Sequence, residues 1–324
     1  MAHPLLYLSR DDVESVGITM AEVIASVEVV FLEKGKGLTE MPPKPGIHPG
    51  PPDSFIHAMP AYVPAMKSAG IKWVSAFPEN QRRGLPYITG LLILNDADTG
   101  LPLSVMDGVW MTGMRTGAAT ALSAKFLARS DSAVVGVLGC GVQGRTNIEA
   151  LSVLFPLEKV MAYDVNEEAQ HDYIADISRR LDLEVIKAKT PKDAVSHCDI
   201  IVTAGPILKE PHATIQPGWM DEGAFASLVD YDAYWHPDAM AETTKFCTDD
   251  TAQLMHYRKM GYLRKIPDIY ADLGELTTGA KTGRQRADER TMTVNLGLAI
   301  EDMAVAPLIF QKAKEKNIGT WLTL

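Results

Sequence analysis

The segment AVVGVLGCGVQGRTNIEAL (133–151) constrains this chain more than any other. An apolar run over 133–138 leads directly into Gly139-Cys140-Gly141-Val142-Gln143-Gly144, and a helical pattern follows from Val142. A strand that ends in glycines and restarts as a helix is the turn by which a doubly wound sheet presents backbone N–H groups to a phosphate. In that setting Gly139 makes the tight turn, Gly141 lets a pyrophosphate reach the backbone, and Gly144 lets the helix pack closely on the strand. The first helical turn, Val142 and Gln143 included, offers N–H groups that no helix carbonyl takes. A G-x-G-x-x-G pattern alone is weak. Its place between a strand and a helix, with a second apolar strand VMAYD (160–164) after it, makes it informative.

That second strand ends in Asp164, 25 residues beyond Gly139, near the roughly 20-residue spacing of a ribose-binding acid. A carboxylate there accepts from both ribose hydroxyls and repels a 2′-phosphate. The chain continues Val165-Asn166-Glu167-Glu168, with no arginine to hold such a phosphate, so NAD(H) is expected over NADP(H). Capping of the next helix is the structural alternative for Asp164. Further on, DIIVTAGP (199–206) reads as a fourth strand and its exit. Thr203, Ala204 and Gly205 would pass beneath the adenosine half of the cofactor, where small residues give clearance.

The surrounding texture supports an α/β fold. Helical spacing over 12–35, broken at Gly17, is followed by a Pro/Gly-rich stretch, 41–54, expected to be a loop. Strand-like runs then cover 56–59, 69–77 and 87–94, and 91–107 reads as a hairpin turning through 96–100. The alanine-rich segment 114–129 is helical in period. From there strand and helix alternate, with helices expected from Val142, Asn166 and Pro191, which implies a parallel sheet covered on its faces. The last segment, 294–319, reads as a helix ending at Gly319 that Pro307 should kink or divide.

At 324 residues the chain has room for two domains. A formal net charge of −10 argues against nucleic acid or an anionic membrane as partner. No segment approaches the roughly 20 apolar residues of a membrane span. The N-terminal MAHPLLYLSRDDVES has neither a basic start nor a long enough apolar run for a secretion signal, so a cytoplasmic location is expected. Cys140, Cys198 and Cys247 form no CxxC pair, and neither a disulfide framework nor a metal site is expected.

Beyond these patterns, much of the chain resembles the ornithine cyclodeaminase/mu-crystallin family. The resemblance is carried by MPAY (59–62), AGIKWVSAFPEN (69–80), GLP (84–86), LNDADTG (94–100), MRTGAATALSAKFLA (114–128) and GCGVQGR (139–145). LGE (273–275), GR (283–284) and LGLAIEDMA (296–304) extend it towards the end. It implies a Rossmann NAD-binding domain over 118–302. It also implies an α+β substrate-binding and dimerisation domain built from 1–117 and the C-terminal helix, 303–324. Family members are homodimers or larger, with an amino- or imino-acid substrate between the domains.

The resemblance also implies site residues. Lys72, a charge inside an otherwise apolar strand, and Arg115, at the head of the alanine-rich helix, match the family's ligands for the substrate carboxylate. Fixed cations in a partly dry site do this best. Lys44 falls where many members carry arginine, and lysine loses the bidentate fork. Thr116, next to Arg115, falls to the cofactor, and Asn295 stands near the nicotinamide where serine is frequent. The family's acid/base aspartate follows the fifth Rossmann strand. Here that region reads AFASLVDYDAYW (224–235) and departs from the usual Asn-Ala-Val-Gly. Asp230, at the strand's end, is favoured over Asp232, which could instead cap a turn. His57 stands where ornithine-specific members carry glutamate, and it supplies no permanent negative charge for a distal ammonium.

Three functions share this frame: net redox at Cα of a small α-amino or α-imino acid, cyclodeamination with catalytic NAD+, and ligand binding without catalysis, as in mu-crystallin. Retention of Lys72, Arg115 and an aspartate weighs towards an enzyme. The missing glutamate weighs towards an imine reductase or amino-acid dehydrogenase.

Overall fold

The computed structural model describes residues 3–51 and 53–324; Met1 and Ala2 of the N-terminal run and Pro52 of the Pro/Gly-rich stretch lie outside them. The chain separates into two compact units, Met1–Arg115 with Leu298–Leu324, and Thr116–Gly297.

The first unit is a seven-stranded sheet in the order Thr320–Thr323, Pro4–Leu8, Pro102–Asp107, Ile88–Asp96, Ser68–Ala76, Phe55–Val63, Gly46–Ile47. All neighbours are antiparallel except Pro4–Leu8 with Pro102–Asp107. Two helices precede most of it, Arg10–Ser15 and Met20–Gly35, each opened by a capping box, Ser9 with Asp12 and Thr19 with Glu22. Gly17, at a φ of 68°, makes the break between them. The sheet buries one face under the helix Ala299–Lys316, against which the helix Met20–Gly35 packs. Register sets Lys72 between Met59 and Leu92 on that buried face. Tyr7, Trp73, Leu91 and Ile93 stand exposed on the other face.

The second unit is an eight-stranded, wholly parallel sheet. Its order is Ala271–Asp272, Lys245–Thr248, Thr291–Val294, Phe225–Leu228, Ile200–Thr203, Val134–Leu138, Lys159–Tyr163, Glu184–Lys187. From Val134–Leu138 the chain builds outwards to one edge and then returns through Ile200–Thr203 to build the other. That reversal is the topological switch point of a doubly wound sheet, where ligands bind. The central strands Val134–Leu138, Ile200–Thr203 and Phe225–Leu228 are buried on both faces and read as largely apolar runs for that reason. The α/β class with a Rossmann-type sheet is therefore the observed one.

Several local readings change. The stretch 191–197 is a succession of turns, closed mostly by bonds to the third residue back such as Ala194 N–H to the Pro191 carbonyl, and His197 ends it at a φ of 62°. The 41–54 stretch contains a short strand, Gly46–Ile47. Residues 291–294 form a strand, and the last helix begins at Ala299. After Gly319 the chain adds an edge strand beside Pro4–Leu8 that the sequence pattern did not signal. Pro307 does not divide its helix. A proline lacks the N–H that would bond the carbonyl four residues back, and here the Ser68 hydroxyl donates to that carbonyl, of Met303, at 2.8 Å. Among the described residues no helix is long and apolar enough to cross a membrane.

Candidate active site

The glycine turn in the second unit is built by close approach. Gly139 has a φ of 105°, and a Cβ there would lie 2.5 Å from the Ala204 carbonyl. A Cβ on Gly144 would lie 2.2 Å from the Gly139 carbonyl, so the helix Val142–Leu154 rests directly on the turn. Gly141 differs: a Cβ there meets nothing within 4 Å. Gly141 is also the N-cap of that helix, and no side chain caps it. The first N–H groups, from Val142 and Gln143 onwards, are thus left to an anionic ligand. The Asp164 carboxylate accepts the Cys140 N–H at 2.7 Å and the Asn166 N–H at 2.8 Å, and it is only half-buried. It braces the turn and keeps lone pairs for ribose hydroxyls. These features fit a dinucleotide: a glycine face that a side chain would fill, an uncapped helix start, and an acid beside them.

Asp230 follows the strand Phe225–Leu228 and is fully buried. The Thr203 hydroxyl donates to its Oδ1 at 2.6 Å and the Gly205 N–H to its Oδ2 at 3.2 Å. Burial pushes its carboxyl up to about 7, against the two hydrogen bonds, which favour the ionised form. Asp232 is buried too, and burial raises its carboxyl, but its Oδ1 has no hydrogen-bond partner. In the turn that follows, the Asp232 carbonyl accepts from the Trp235 N–H. Between them Tyr231 has a φ of 63°.

In the first unit, Lys72 Nζ lies 2.7 Å from Asp302 Oδ1 and 3.0 Å from Thr112 Oγ1. Arg115 Nε reaches the same Asp302 oxygen at 3.3 Å, and a terminal nitrogen reaches Glu301 Oε2 at 2.9 Å. Burial pulls the Lys72 ammonium down to about 7; Asp302 opposes this, while Arg115 and Lys44 add to it. Burial raises the Glu301 carboxyl. Lys44 is buried, and its charge is felt by both Lys72 and Glu301. Pairing of Gly46 with His57 fixes the loop carrying Lys44 against the strand Phe55–Val63. His57 is buried there, stacked on Phe55 with ring centroids 4.0 Å apart.

The structure therefore gathers the sequence candidates into two groups. Gly139, Gly141, Val142, Gln143, Gly144, Asp164, Thr203, Ala204 and Asp230 meet at the carboxyl ends of the parallel strands. Lys44, Lys72 and Arg115 converge in the first unit, with His57 on the neighbouring strand. Thr116 is buried on the helix Val109–Leu127. Asn295 is tied into a network, its amide donating to Ser227 Oγ at 3.1 Å and Thr120 Oγ1 at 3.3 Å.

Glu301 and Asp302, which lie in a stretch that matches the family and read from the sequence as members of an ion pair, are the buried counter-charges of the cation cluster. Tyr234 lies across Gly205, where a Cβ would sit 2.3 Å from its ring; nothing in the sequence marked it.

Known proteins align along almost the full length. The chain is 35% identical to the nodulation efficiency protein NfeD of Rhizobium meliloti, over 99% of each chain. Its structure matches that of Thermococcus litoralis Δ1-pyrroline-2-carboxylate reductase in complex with NADH and L-proline, with a TM-score of 0.89, 34% identity and coverage of 98% and 99%. It also matches an archaeal alanine dehydrogenase dimer with bound NAD, with a TM-score of 0.87, 32% identity and coverage of 99% of each chain. Residues 6–317 match the family profile, and the chain belongs to the ornithine cyclodeaminase/mu-crystallin family.

Proposed function

We propose that this chain is an oxidoreductase in which bound NAD(H) supplies or accepts hydride at Cα of a small α-amino or α-imino acid. The observation that carries the reading is the buried convergence of Lys72 and Arg115 on one carboxylate oxygen, with Lys44 beside them. Burying ions costs several kcal/mol each, and apolar residues in their place are often neutral or stabilising. Such a cluster serves recognition better than folding. Charge-assisted bonds from lysine and guanidinium are the strong way to hold a carboxylate, so we assign these three cations to the substrate carboxylate.

The glycine turn with Val142 and Gln143 would hold the pyrophosphate, and Asp164 the ribose. We assign proton transfer at the substrate nitrogen to Asp230: it donates during imine reduction and accepts during amine oxidation. A carboxyl held near 7 can do both close to neutrality. The NADH–proline and NAD complexes of the two relatives support the cofactor and the substrate class. His57, in place of the glutamate of ornithine-acting members, supports an imine reductase or amino-acid dehydrogenase over a cyclodeaminase. We extend the proposal to a cytoplasmic homodimer formed through the exposed sheet face of Tyr7, Trp73, Leu91 and Ile93, in line with the dimeric relative.

The test follows NADH absorbance with a panel of cyclic imino acids, keto acids with ammonia or methylamine, and L-amino acids with NAD+. A lasting change with one member establishes the oxidoreductase. Ammonia release from a diamino acid without net change would make it a cyclodeaminase. Tight NADH binding with no turnover would make it a binding protein.

A further inference from the structure

We propose that Thr203, oriented by Trp235, is a positioning residue for Asp230, holding one carboxylate oxygen through a hydroxyl whose direction the indole fixes. The proposal rests on Asp230 being the acid/base.

The Trp235 Nε1–H lies 3.4 Å from Thr203 Oγ1. An indole N–H can only donate, so the hydroxyl accepts it and spends its own proton elsewhere. That proton points at Asp230 Oδ1, 2.6 Å away, a shorter bond than the one the Gly205 N–H makes to Oδ2 at 3.2 Å. Thr203, Trp235 and Asp230 are all fully buried, so water does not substitute for the missing donor. The relay crosses from the exit of the strand Ile200–Thr203 to the turn after Phe225–Leu228, and the parallel register of these strands brings the two ends together. The sequence reading gave Thr203 only a clearance role beneath the cofactor. Its hydroxyl in addition donates to Asp230.

A donor to a carboxylate favours the ionised form, so Thr203 works against burial. The other groups facing Asp230 are the Gly205 N–H, which works the same way, and Asp232, which works against it. Tyr234 also feels the Asp230 charge. In imine reduction the protonated carboxyl is the active form, so the rate falls as pH passes its ionisation. In amine oxidation the ionised form is active, and the rate rises through the same point. Loss of the Thr203 hydroxyl should move both limbs upwards.

The intact enzyme is assayed with the best imino acid of the panel, from about pH 5 to pH 9, as Thr203→Val and Thr203→Ser. NADH binding is measured in parallel by fluorescence. Thr203→Val should raise the ionisation by roughly one pH unit, while Thr203→Ser, which keeps the hydroxyl, should restore it. An unchanged profile in Thr203→Val with normal NADH binding overturns the assignment. If that variant does not bind NADH, Trp235→Phe decides, since an upward shift supports the relay and none overturns it. Asp230→Asn separates this from the underlying reading. If the ionisation persists in Asp230→Asn, the role of Asp230 fails; if it vanishes there yet ignores Thr203→Val, the role of Thr203 alone fails.

Discussion

Lys72 and Arg115 share one oxygen of Asp302, at 2.7 and 3.3 Å, with the lysine and the aspartate both out of reach of solvent. Two cations on one buried acceptor is an arrangement that folding does not need. Its Oδ2 and Glu301 Oε1 have no hydrogen-bond partner, a further cost that packing alone would not retain.

Truncating either cation should therefore damage substrate use and leave the cofactor untouched. Removing one partner of a buried charge pair costs about 2–5 kcal/mol, and each 1.4 kcal/mol is tenfold. We expect Arg115→Ala and Lys72→Met to lower kcat/KM by roughly 30- to 3,000-fold, with NADH affinity within about twofold of the parent. Arg115→Lys should recover only part, since it loses the fork. Steady-state kinetics beside NADH titration checks this, and unchanged turnover in Arg115→Ala would remove it from the substrate site.

The buried titrating groups give stability a definite pH dependence. The Asp230 carboxyl keeps its proton to about 7 in the folded chain, while unfolding returns it to its ordinary value near 3.8. Between those points the folded state binds more protons, so stability falls as pH rises through that window. Lys72 runs the other way: folded it releases its proton near 7, unfolded only near 10.5. Across that upper window the unfolded state binds more protons, and stability recovers with rising pH. Asp230→Asn should accordingly gain Tm over the parent increasingly from about pH 4 to pH 7 and hold that difference above. Thermal melts at several pH values read it directly, and a difference independent of pH contradicts the assignment.

Much of this was legible in the sequence because it depends on local backbone demands. Gly139, Gly141 and Gly144 sit where only a glycine-sized residue fits or where a ligand must approach, and those demands are fixed within one turn. Lys72 was visible as a charge inside an apolar strand. What the sequence hid was pairing across long separations. Asp302 meets Lys72 across 230 residues, and Thr203 meets Asp230 only through parallel register. The final edge strand was hidden for the same reason, since its partner is the start of the chain. The turns at 191–197 carry helical composition, but their bonds reach mostly three residues back.

The glycine turn allows folding and cofactor binding to be separated. Gly141→Ala places a methyl where no protein atom lies within 4 Å, so the fold should hold. NADH affinity should drop by roughly tenfold or more, since the methyl occupies the face a pyrophosphate approaches. Gly144→Ala drives a methyl to 2.2 Å from the Gly139 carbonyl, and overpacking of this kind costs about 1–3 kcal/mol. Melting curves beside NADH titrations distinguish the two. Equal losses of stability in both variants would show that Gly141 is only part of the turn.

Ser68 and Pro307 are coupled through a carbonyl that neither owns. Pro307 denies the Met303 carbonyl its helical donor, and the Ser68 hydroxyl supplies one at 2.8 Å in a fully buried setting. Ser68→Ala leaves that carbonyl unsatisfied, a loss of about 1–3 kcal/mol. Pro307→Ala restores an N–H within the helix, so the carbonyl no longer depends on the serine. In the Pro307→Ala background the cost of Ser68→Ala should fall by at least half. The four chains of this cycle, compared by chemical denaturation, isolate the coupling from the separate effects of losing a hydroxyl or a proline ring. Additive losses would mean that the helix satisfies Met303 by another route and that the serine was placed there for packing.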